Sequence, residues 1–305
     1  MRATFAKATV PTADAAVLPG AQARARDFVA LAKPRLNLLV VASTLVGYAM
    51  ADGDALGILR TTALLVGTGL VAGGASACNQ VAERDLDALM KRTRLRPLPD
   101  GRLQPVEGML FGTAMTLAGM LLIVMSANLL AAAVALATLL SYVAVNTPLK
   151  RRSSFGTVVG AIPGALPPMI GWAASSGALP PQAWTLFGIM FLWQLPHFLA
   201  IAWMYREDYA RAGFPMLPVL EPDGRSTGRQ AVLYAAALVP LSLAPSLMGL
   251  AGGIYFTGAL LLGLAFLWIT LQFARTRSVS DARRLFFGSI TYLPLLWILM
   301  IVNKT

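Results

Sequence analysis

The sequence predicts an all-α polytopic membrane protein with about nine transmembrane helices around a central cavity that opens near the cytoplasmic side. Of its 305 residues, 57% are hydrophobic and only 13% are charged. Apolar stretches of roughly 20 residues, long enough to cross a bilayer, recur along the chain. Basic residues gather in alternate loops between these stretches, as is typical of membrane proteins. We therefore expect residues 1–27 to form a flexible tail and residues 28–305 to form a single membrane-embedded domain.

The candidate spans follow one another with short connections. Their predicted bounds, in order, are 36–51, 61–82, 106–127, 128–145, 156–174, 183–205, 230–250, 252–273 and 285–302. Small residues in the second span favour close helix packing, and these are Gly67, Gly69, Gly73 and Gly74. Helix breakers in the fifth span predict a bent or locally unwound helix that can line a cavity, and these are Gly160, Pro163, Gly164, Pro167, Pro168 and Gly171.

The distribution of positive charge predicts the orientation in the membrane. Among the 25 Lys and Arg residues, only Arg60 and Lys304 lie on one side of the nine-span arrangement. The positive-inside rule therefore places the N-terminus in the cytoplasm and the C-terminus in the periplasm. The net charge of +11 is mainly a topology signal, because the charges are spread along membrane loops and do not form one nucleic-acid-binding face. The short tail favours a bacterial plasma (inner) membrane, and we expect no cleaved secretory signal because no hydrophobic signal core precedes residue 30.

The most informative polar motif lies where the second span reaches the cytoplasm. Asn79, Glu83 and Asp87 follow the spacing i, i+4, i+8, which stacks three oxygen-bearing side chains on one face of a helix. Acids crowded at the end of a membrane helix repel each other, so an ordinary anchor has no use for them. Mg²⁺ is typically held by one or two carboxylates together with substrate phosphate oxygens. The motif therefore predicts an enzyme that ionises a lipid diphosphate at a membrane surface.

Basic residues at the cytoplasmic ends of the first, second and fourth spans are candidate ligands of that diphosphate. They are Lys33, Arg35, Arg92, Arg96, Lys150 and Arg151. The alternative for each is contact with lipid headgroups, which explains many loop cations in membrane proteins. Pro148, just before the fourth-span cations, should end or kink that span.

A second acidic motif occupies the cytoplasmic end of the sixth span, where Glu207 and Asp208 lie. Glu207 has a simple explanation as an i, i+4 ion pair with Arg211, which leaves Asp208 as a candidate metal ligand. Acidic clusters at two corresponding helix ends could hold two metal ions around one diphosphate. We therefore expect one or two Mg²⁺ ions at the site.

His197, the only histidine, lies within the sixth span, where ionisable groups are costly and usually functional. As a functional residue it could accept a proton, ligate the iron of a porphyrin or donate a hydrogen bond to a polar substrate group. A purely structural role in the core is the open alternative.

Several segments of the chain form a recognisable set. They are Arg84-Asp-Leu-Asp87, Met90-Lys-Arg-Thr93, Arg96-Pro-Leu98, Asp208-Tyr-Ala-Arg-Ala-Gly213-Phe-Pro-Met-Leu-Pro218, Leu31-Ala-Lys-Pro-Arg35, Thr147-Pro-Leu-Lys-Arg151, Gly164-Ala-Leu-Pro-Pro-Met-Ile-Gly-Trp172 and Pro196-His-Phe198. With the nine spans and the Asn79, Glu83 and Asp87 array, this set resembles the UbiA-type intramembrane prenyltransferases, and most closely the protohaem IX farnesyltransferase (haem O synthase) family. The resemblance runs from about residue 28 to residue 218, and the last three spans match only as apolar helices.

The resemblance implies that farnesyl diphosphate alkylates a vinyl group of haem B. Water then completes a hydroxyethylfarnesyl substituent, giving haem O for terminal oxidases or as the precursor of haem A. It also implies Mg²⁺ as cofactor, haem B as a substrate, membrane lipid as surroundings and haem A synthase as a candidate partner. By the same resemblance, Asn79, Glu83, Asp87 and Asp208 are catalytic and metal-binding, and His197 is catalytic and lies on the haem side.

The chain departs from the family pattern at two positions. Glu83 stands where Asp is usual, and Gln80 stands where a second Asn is common. The longer arm of Glu83 would shift a bound ion, so Asp85 is an alternative metal ligand.

Two other functions stay open. A prenyltransferase could use another aromatic acceptor, such as 4-hydroxybenzoate or a quinone precursor, although segments 90–98 and 208–218 argue against it. A membrane transporter would place ionisable residues near mid-membrane, whereas here nearly all acids lie at the cytoplasmic ends.

Overall fold

The computed structural model describes residues 20–51 and 56–305, which are almost entirely helical apart from turns and one isolated β-bridge between Ala251 and Lys304. The helices are α1 (Ala21–Ala32), α2 (Pro34–Met50), α3 (Gly57–Leu89), α4 (Pro105–Ser126), α5 (Leu129–Leu140), a π-helical turn (Ser141–Asn146), α6 (Thr147–Leu149), α7 (Gly156–Ala165), α8 (Pro167–Ser176), α9 (Pro181–Met204), α10 (Arg206–Arg211), α11 (Leu217–Leu220), α12 (Arg225–Leu247), α13 (Gly253–Thr276) and α14 (Val279–Val302). The all-α prediction is confirmed.

Within the described residues, eight helical segments are each long and apolar enough to cross a membrane, and the bent pair α1–α2 makes a ninth candidate. The two helices of that pair meet at 45°. Lys33 forms the bend with φ of 47°, a left-handed conformation that is uncommon outside glycine. Pro34 then begins α2, because the first position of a helix does not need a backbone N–H. The protein is therefore an integral membrane protein, with spans close to the predicted bounds.

The structure differs from the predicted N-terminal tail at residues 21–27. Its residues 1–19 lie outside the described residues, but residues 21–27 belong to α1 and are tied down. Arg24 pairs with Glu107 of α4, and Asp27 is buried 3.1 Å from Arg102 Nε. The prediction of a tail up to residue 27 was wrong because these ion pairs join partners 75 or more residues apart in sequence.

Glycines bring helices of the bundle into close contact. A Cβ added at Gly171 of α8 would lie 1.8 Å from the Thr44 carbonyl oxygen of α2. One added at Gly74 of α3 would lie 2.5 Å from the Gly112 carbonyl oxygen of α4. The prediction of close packing is confirmed for the second span, although Gly69 has only an ordinary contact at 3.4 Å.

Two irregular spans form part of the interior. The fifth span is interrupted between α7 and α8, where Pro167 supplies no backbone N–H, as its breakers predict. The fourth span widens into a π-helical turn in which the Thr147 N–H bonds to the Tyr142 carbonyl. This turn precedes Pro148, and the helix ends one residue later, at Leu149. Single π-helical turns frequently mark functional positions, and this one carries Tyr142 and Thr147 into the interior.

Two apolar cores flank the interior. The larger joins α9 with α12, α13 and α14 and also contains residues of α2 and α8. The other joins α3, α4, α5 and α8. Between them, side chains of α2, α3, α5, α7, α8 and α9 and of the π-helical turn line a cavity.

Candidate active site

Three polar side chains of α3 form a buried row, as their spacing predicts. Asn79, Glu83 and Asp87, here called the acid row, are only 2%, 6% and 2% exposed. Asn79 Nδ2 donates a hydrogen bond to Glu83 Oε2 at 2.9 Å. Thr147 Oγ1 from the fourth span donates to Asn79 Oδ1 at 2.8 Å. Carboxylates buried this deeply need cations beside them, because burial of an unpaired charge is very costly.

Cations from three other segments surround the acid row. Lys150 Nζ lies 2.5 Å from Glu83 Oε1, and Arg96 Nη1 donates to Asp87 Oδ2 at 2.7 Å. Lys33, at the bend between α1 and α2, interacts electrostatically with both carboxylates and both cations. The Lys150 and Arg96 side chains remain 19% and 26% exposed. The cations can therefore also reach an anion that arrives at the row.

The donor set of the acid row fits a hard divalent cation completed by ligand oxygens. In the described parts of the chain, no three His, Cys, Asp or Glu side chains come together, so the protein alone does not form a closed metal cage. Glu83 Oε1 has no aligned hydrogen bond and only the Lys150 ion pair. Two carboxylates and one amide oxygen are what Mg²⁺ takes when phosphate and water supply the rest. The row therefore suits Mg²⁺ bound together with a phosphorylated ligand.

Asp85 does not join the acid row, and its prediction as a metal ligand is corrected. Its side chain is 85% exposed and pairs with Arg84 at 2.9 Å. Two residues along an α-helix turn the side chain by about 200°. Asp85 therefore faces away from Glu83 and Asp87.

Asp208 lies near the basic run that follows α3. Its Oδ2 accepts a hydrogen bond from the Arg92 backbone N–H at 3.3 Å, and its Oδ1 pairs with Arg211. Arg211 thus neutralises Asp208 and not Glu207, contrary to the simple i, i+4 expectation. The structure joins the second acidic motif to the loop after α3. Among the described residues, however, Asp208 does not cluster with Glu83 and Asp87 into one three-carboxylate site.

The six predicted diphosphate ligands divide into two sets. Lys33, Arg96 and Lys150 surround the acid row. The other three contact different partners. Arg35 is exposed and lines a surface groove, Arg151 donates to the Ala82 carbonyl of α3, and the Arg92 guanidinium lies 5.1 Å from the centre of the Tyr205 ring.

An apolar cavity of about 290 Å³ is lined by neighbours of the acid row, although not by Asn79, Glu83 or Asp87 themselves. Ser76, one turn before Asn79 on α3, lines it together with Lys33 and Tyr142. Both Lys33 and Tyr142 interact electrostatically with Glu83 and Asp87. Away from the row the lining is mostly apolar, with Leu36, Val40, Val71, Leu139, Ile170 and Phe198. A ligand with a charged head and a long apolar chain fits this arrangement, with its head at the row.

Several polar residues of the site were missed in the sequence. Thr147 bonds to Asn79, Tyr142 lines the cavity, and Gln194 lines it from α9. The Gln194 amide donates to the Ala161 carbonyl at 2.8 Å across to α7. Tyr142 and Gln194 are polar residues inside predicted spans, and that costly placement was the signal that could have found them. Thr147 lies just beyond the predicted end of the fourth span and had no such signal.

Tyr209 lies within electrostatic range of both the acid row and Arg92. Burial raises the pKa of its phenol above the ordinary value, the Arg92 guanidinium opposes the shift, and Glu83 adds to it. Tyr209 therefore presents a neutral hydroxyl beside the charged groups.

The structure places His197 in a helix–helix contact. The Ser289 hydroxyl of α14 donates to the Phe286 carbonyl at 2.6 Å, so His197 Nδ1–H donates to Ser289 Oγ at 2.7 Å. The imidazole also stacks between Trp193 and Phe286, with ring centres 5.5 and 5.0 Å away. The described residues that line the cavity include its neighbour Phe198 but not His197. This geometry favours the structural alternative, and the catalytic role of His197 stays a prediction.

Comparison with known sequences gives close relatives over almost the whole chain. The sequence model of the UbiA prenyltransferase family matches residues 40–293. A protoheme IX farnesyltransferase of Solibacter usitatus is 47% identical over 288 residues, which cover 92% of this chain and 99% of the relative. One of Koribacter versatilis is 43% identical and covers 94% of this chain and 96% of the relative.

Solved structures share the fold at low sequence identity. A digeranylgeranylglyceryl phosphate synthase superposes with a TM-score of 0.77 at 16% identity, over 92% of this chain and 98% of that one. A UbiA homolog from Archaeoglobus fulgidus, solved with GPP and Mg²⁺, gives a TM-score of 0.64 at 16% identity, over 90% of this chain and 99% of that one.

Proposed function

This chain belongs to the UbiA prenyltransferase family, and on that premise we propose that it transfers a farnesyl group from farnesyl diphosphate to a vinyl group of haem B. Water adds to the same vinyl group, and the product is haem O. The protoheme IX farnesyltransferases align over nearly the full length of both chains. The observation in this molecule that carries the proposal is the buried acid row with its cations. An apolar cavity lined by Lys33, Ser76 and Tyr142 lies beside it.

The acid row and its cations hold the diphosphate. Asn79, Glu83 and Asp87 would hold Mg²⁺ that arrives with the substrate, and Asp208 would hold a second ion. When bound, Mg²⁺ stabilises the charge that develops on the departing diphosphate. Lys150 and Arg96 would contact the diphosphate oxygens and further stabilise their negative charge in a site shielded from water.

The apolar cavity takes the farnesyl chain and protects the reacting carbon. The bond between that carbon and the diphosphate oxygen breaks, and its electron pair leaves with the diphosphate. The vinyl π electrons of haem B form the new carbon–carbon bond. Water then adds to the resulting cationic carbon and loses a proton. Water is needed only in this last step. An apolar lining keeps water away from the allylic farnesyl cation, which forms earlier and would otherwise be hydrolysed.

The enzyme resides in the bacterial inner membrane, with its N-terminus in the cytoplasm and its C-terminus in the periplasm. The Lys and Arg distribution supports this orientation, because nearly all the cations lie on the side of the acid row. Haem O then passes to terminal oxidases or to a haem A synthase, which is the proposed partner.

The experiment supplies purified protein in detergent with farnesyl diphosphate, haem B and Mg²⁺ and identifies the extracted porphyrin by mass. We expect the mass of haem B plus a farnesyl group and a hydroxyl group, with this product lost on addition of a chelator and restored by added Mg²⁺. A parallel reaction replaces haem B with 4-hydroxybenzoate. Prenylated 4-hydroxybenzoate, with haem B untouched, would overturn the acceptor, and folded protein that consumes no diphosphate with either acceptor would overturn the whole proposal.

A further inference from the structure

A second cleft, of about 500 Å³, lies where the loop after α3 meets the C-terminal end of α9. Lys91 and Arg92 of that loop line it together with Arg206, the first residue of α10. We call these three cations and the Tyr205 ring beside them the cationic cleft. The cleft is separate from the apolar cavity, because the two share no lining residue.

The cationic cleft has excess positive charge. Asp208 also lines it but is neutralised by Arg211 and by the Arg92 N–H. Glu207 is the remaining carboxylate of the lining. None of the ion pairs among the described residues involves Lys91, Arg92 or Arg206. Three cations therefore face one uncompensated acid, and the cleft suits an anion.

Aromatic rings hold the two guanidinium groups in place. The Arg92 guanidinium lies 5.1 Å from the centre of the Tyr205 ring. The Arg206 guanidinium lies 4.7 Å from the centre of the Trp203 ring, and its Nη1 donates to the Trp203 carbonyl at 3.0 Å. Stacking of this kind fixes the plane of the fork and leaves other N–H groups to bond outward. A planar fork matches a carboxylate, with two parallel hydrogen bonds.

The cleft and the acid row lie within reach of one molecule. The loop that carries Arg92 also bonds to the row, because the Thr93 hydroxyl donates to the Asp87 carbonyl at 2.8 Å and Arg96 Nη1 donates to Asp87 Oδ2 at 2.7 Å. Haem B has two propionate carboxylates on one edge of the porphyrin and its vinyl groups on the other half of the ring. A porphyrin whose carboxylates lie at the cleft can therefore direct a vinyl group towards the row. Met204 and Val279 add apolar surface to the cleft lining, which suits the edge of a macrocycle.

We propose that the cationic cleft binds the propionate carboxylates of the haem acceptor, with Arg92 and Arg206 as the principal ligands and Lys91 as a third cation. The proposal rests on the proposed function and adds the site by which the acceptor is oriented. Two guanidinium groups correspond to the two carboxylates of one haem. A phosphate of a lipid headgroup is the other anion that would fit, and the experiment separates the two.

The test measures prenyl transfer with haem B and with its dimethyl ester, which lacks both carboxylate charges, for the wild type, Arg206→Gln and Arg92→Gln. Arg92→Gln keeps the backbone N–H that Asp208 accepts. With haem B we expect each variant to raise the KM for haem about fivefold, the size of one partly exposed charge pair, and to leave the KM for farnesyl diphosphate unchanged. With the ester we expect the variants to match the wild type. Arg229→Gln, an exposed cation outside the cleft, is the matched control.

Titration of the purified proteins with haem B, followed by absorbance, gives a readout that does not need turnover. We expect weaker binding in both cleft variants and wild-type binding in Arg229→Gln. Equal use of haem B and its ester by the wild type would overturn the carboxylate assignment. A loss that is the same for both acceptors and is reversed by anionic lipid would assign the cleft to headgroups. Wild-type protein that makes no haem product at all would overturn the proposed function, whereas normal product with unchanged variants would overturn the cleft alone.

Discussion

The change Asp87→Asn tests the acid row most sharply, because Asp85 provides a matched control on the same helix. The substitution removes one charge, nearly preserves the shape and keeps an oxygen for Arg96. The Asp87 side chain is 2% exposed, whereas that of Asp85 is 85% exposed. The same chemical change is thus made at two positions that differ in which face of α3 they occupy.

The structure sets the expected magnitudes. Loss of one preorganised charge at the reacting group costs about 100-fold or more in kcat. Breaking a fully buried ion pair costs roughly 3–5 kcal/mol of stability, but Arg96 keeps 26% side-chain exposure and still has the amide oxygen to bond. We therefore expect a loss of about 1–2 kcal/mol for Asp87→Asn. Asp85→Asn removes only an exposed pair, worth at most about 1 kcal/mol, and should change kcat by less than about twofold.

The assay measures haem O formation by purified variants over a series of Mg²⁺ concentrations, alongside the melting temperature in detergent. The expected outcome is a folded Asp87→Asn protein with little activity at any Mg²⁺ concentration. Normal turnover of Asp87→Asn at saturating Mg²⁺ would refute the metal site. An equal loss in Asp85→Asn would refute the assignment of the active face of α3.

Three further predictions concern packing and topology. Gly171→Ala should lower the free energy of unfolding by about 1–3 kcal/mol or more, because its Cβ would lie 1.8 Å from the Thr44 carbonyl oxygen. Gly253→Ala is the control and should be tolerated, because its Cβ would meet no neighbour within 4 Å. His197→Ala should cost roughly 1–3 kcal/mol of stability through its lost Ser289 bond with little change in kcat, and a large kcat loss at an unchanged melting temperature would restore it to the reaction. Arg60→Ala should be nearly silent in the assay, because the predicted topology places Arg60 on the membrane side opposite the acid row. A large catalytic loss there would mean that the predicted topology is wrong.

The spans and the acid row could be predicted because each depends on local order in the sequence. A run of apolar residues sets a span, and the spacing of Asn79, Glu83 and Asp87 sets a helical face. Asp85 was an alternative ligand only because Glu83 stands where the family usually has Asp, and its position on the helix places it on the opposite face. The break in the fifth span likewise follows from its prolines.

Other parts depend on contacts between distant segments, which a single sequence does not contain. Lys33 and Arg35 are near neighbours, yet only Lys33 lines the apolar cavity and lies within electrostatic range of Glu83 and Asp87, whereas Arg35 is exposed. That difference arises from the left-handed bend at Lys33. The π-helical turn that presents Thr147 to Asn79 has no sequence signature of its own. The contact between His197 and Ser289, 92 residues apart in sequence, likewise has no local signal.

The most direct test of the central claim is the haem content of membranes from an oxidase-competent host that lacks its own haem O synthase, with and without this chain. The porphyrins are extracted and identified by retention time and mass. The account predicts haem O only when the chain is present, and none with Asp87→Asn inserted at the same level. Haem B alone, with the wild-type protein shown to be inserted in the membrane, would contradict it.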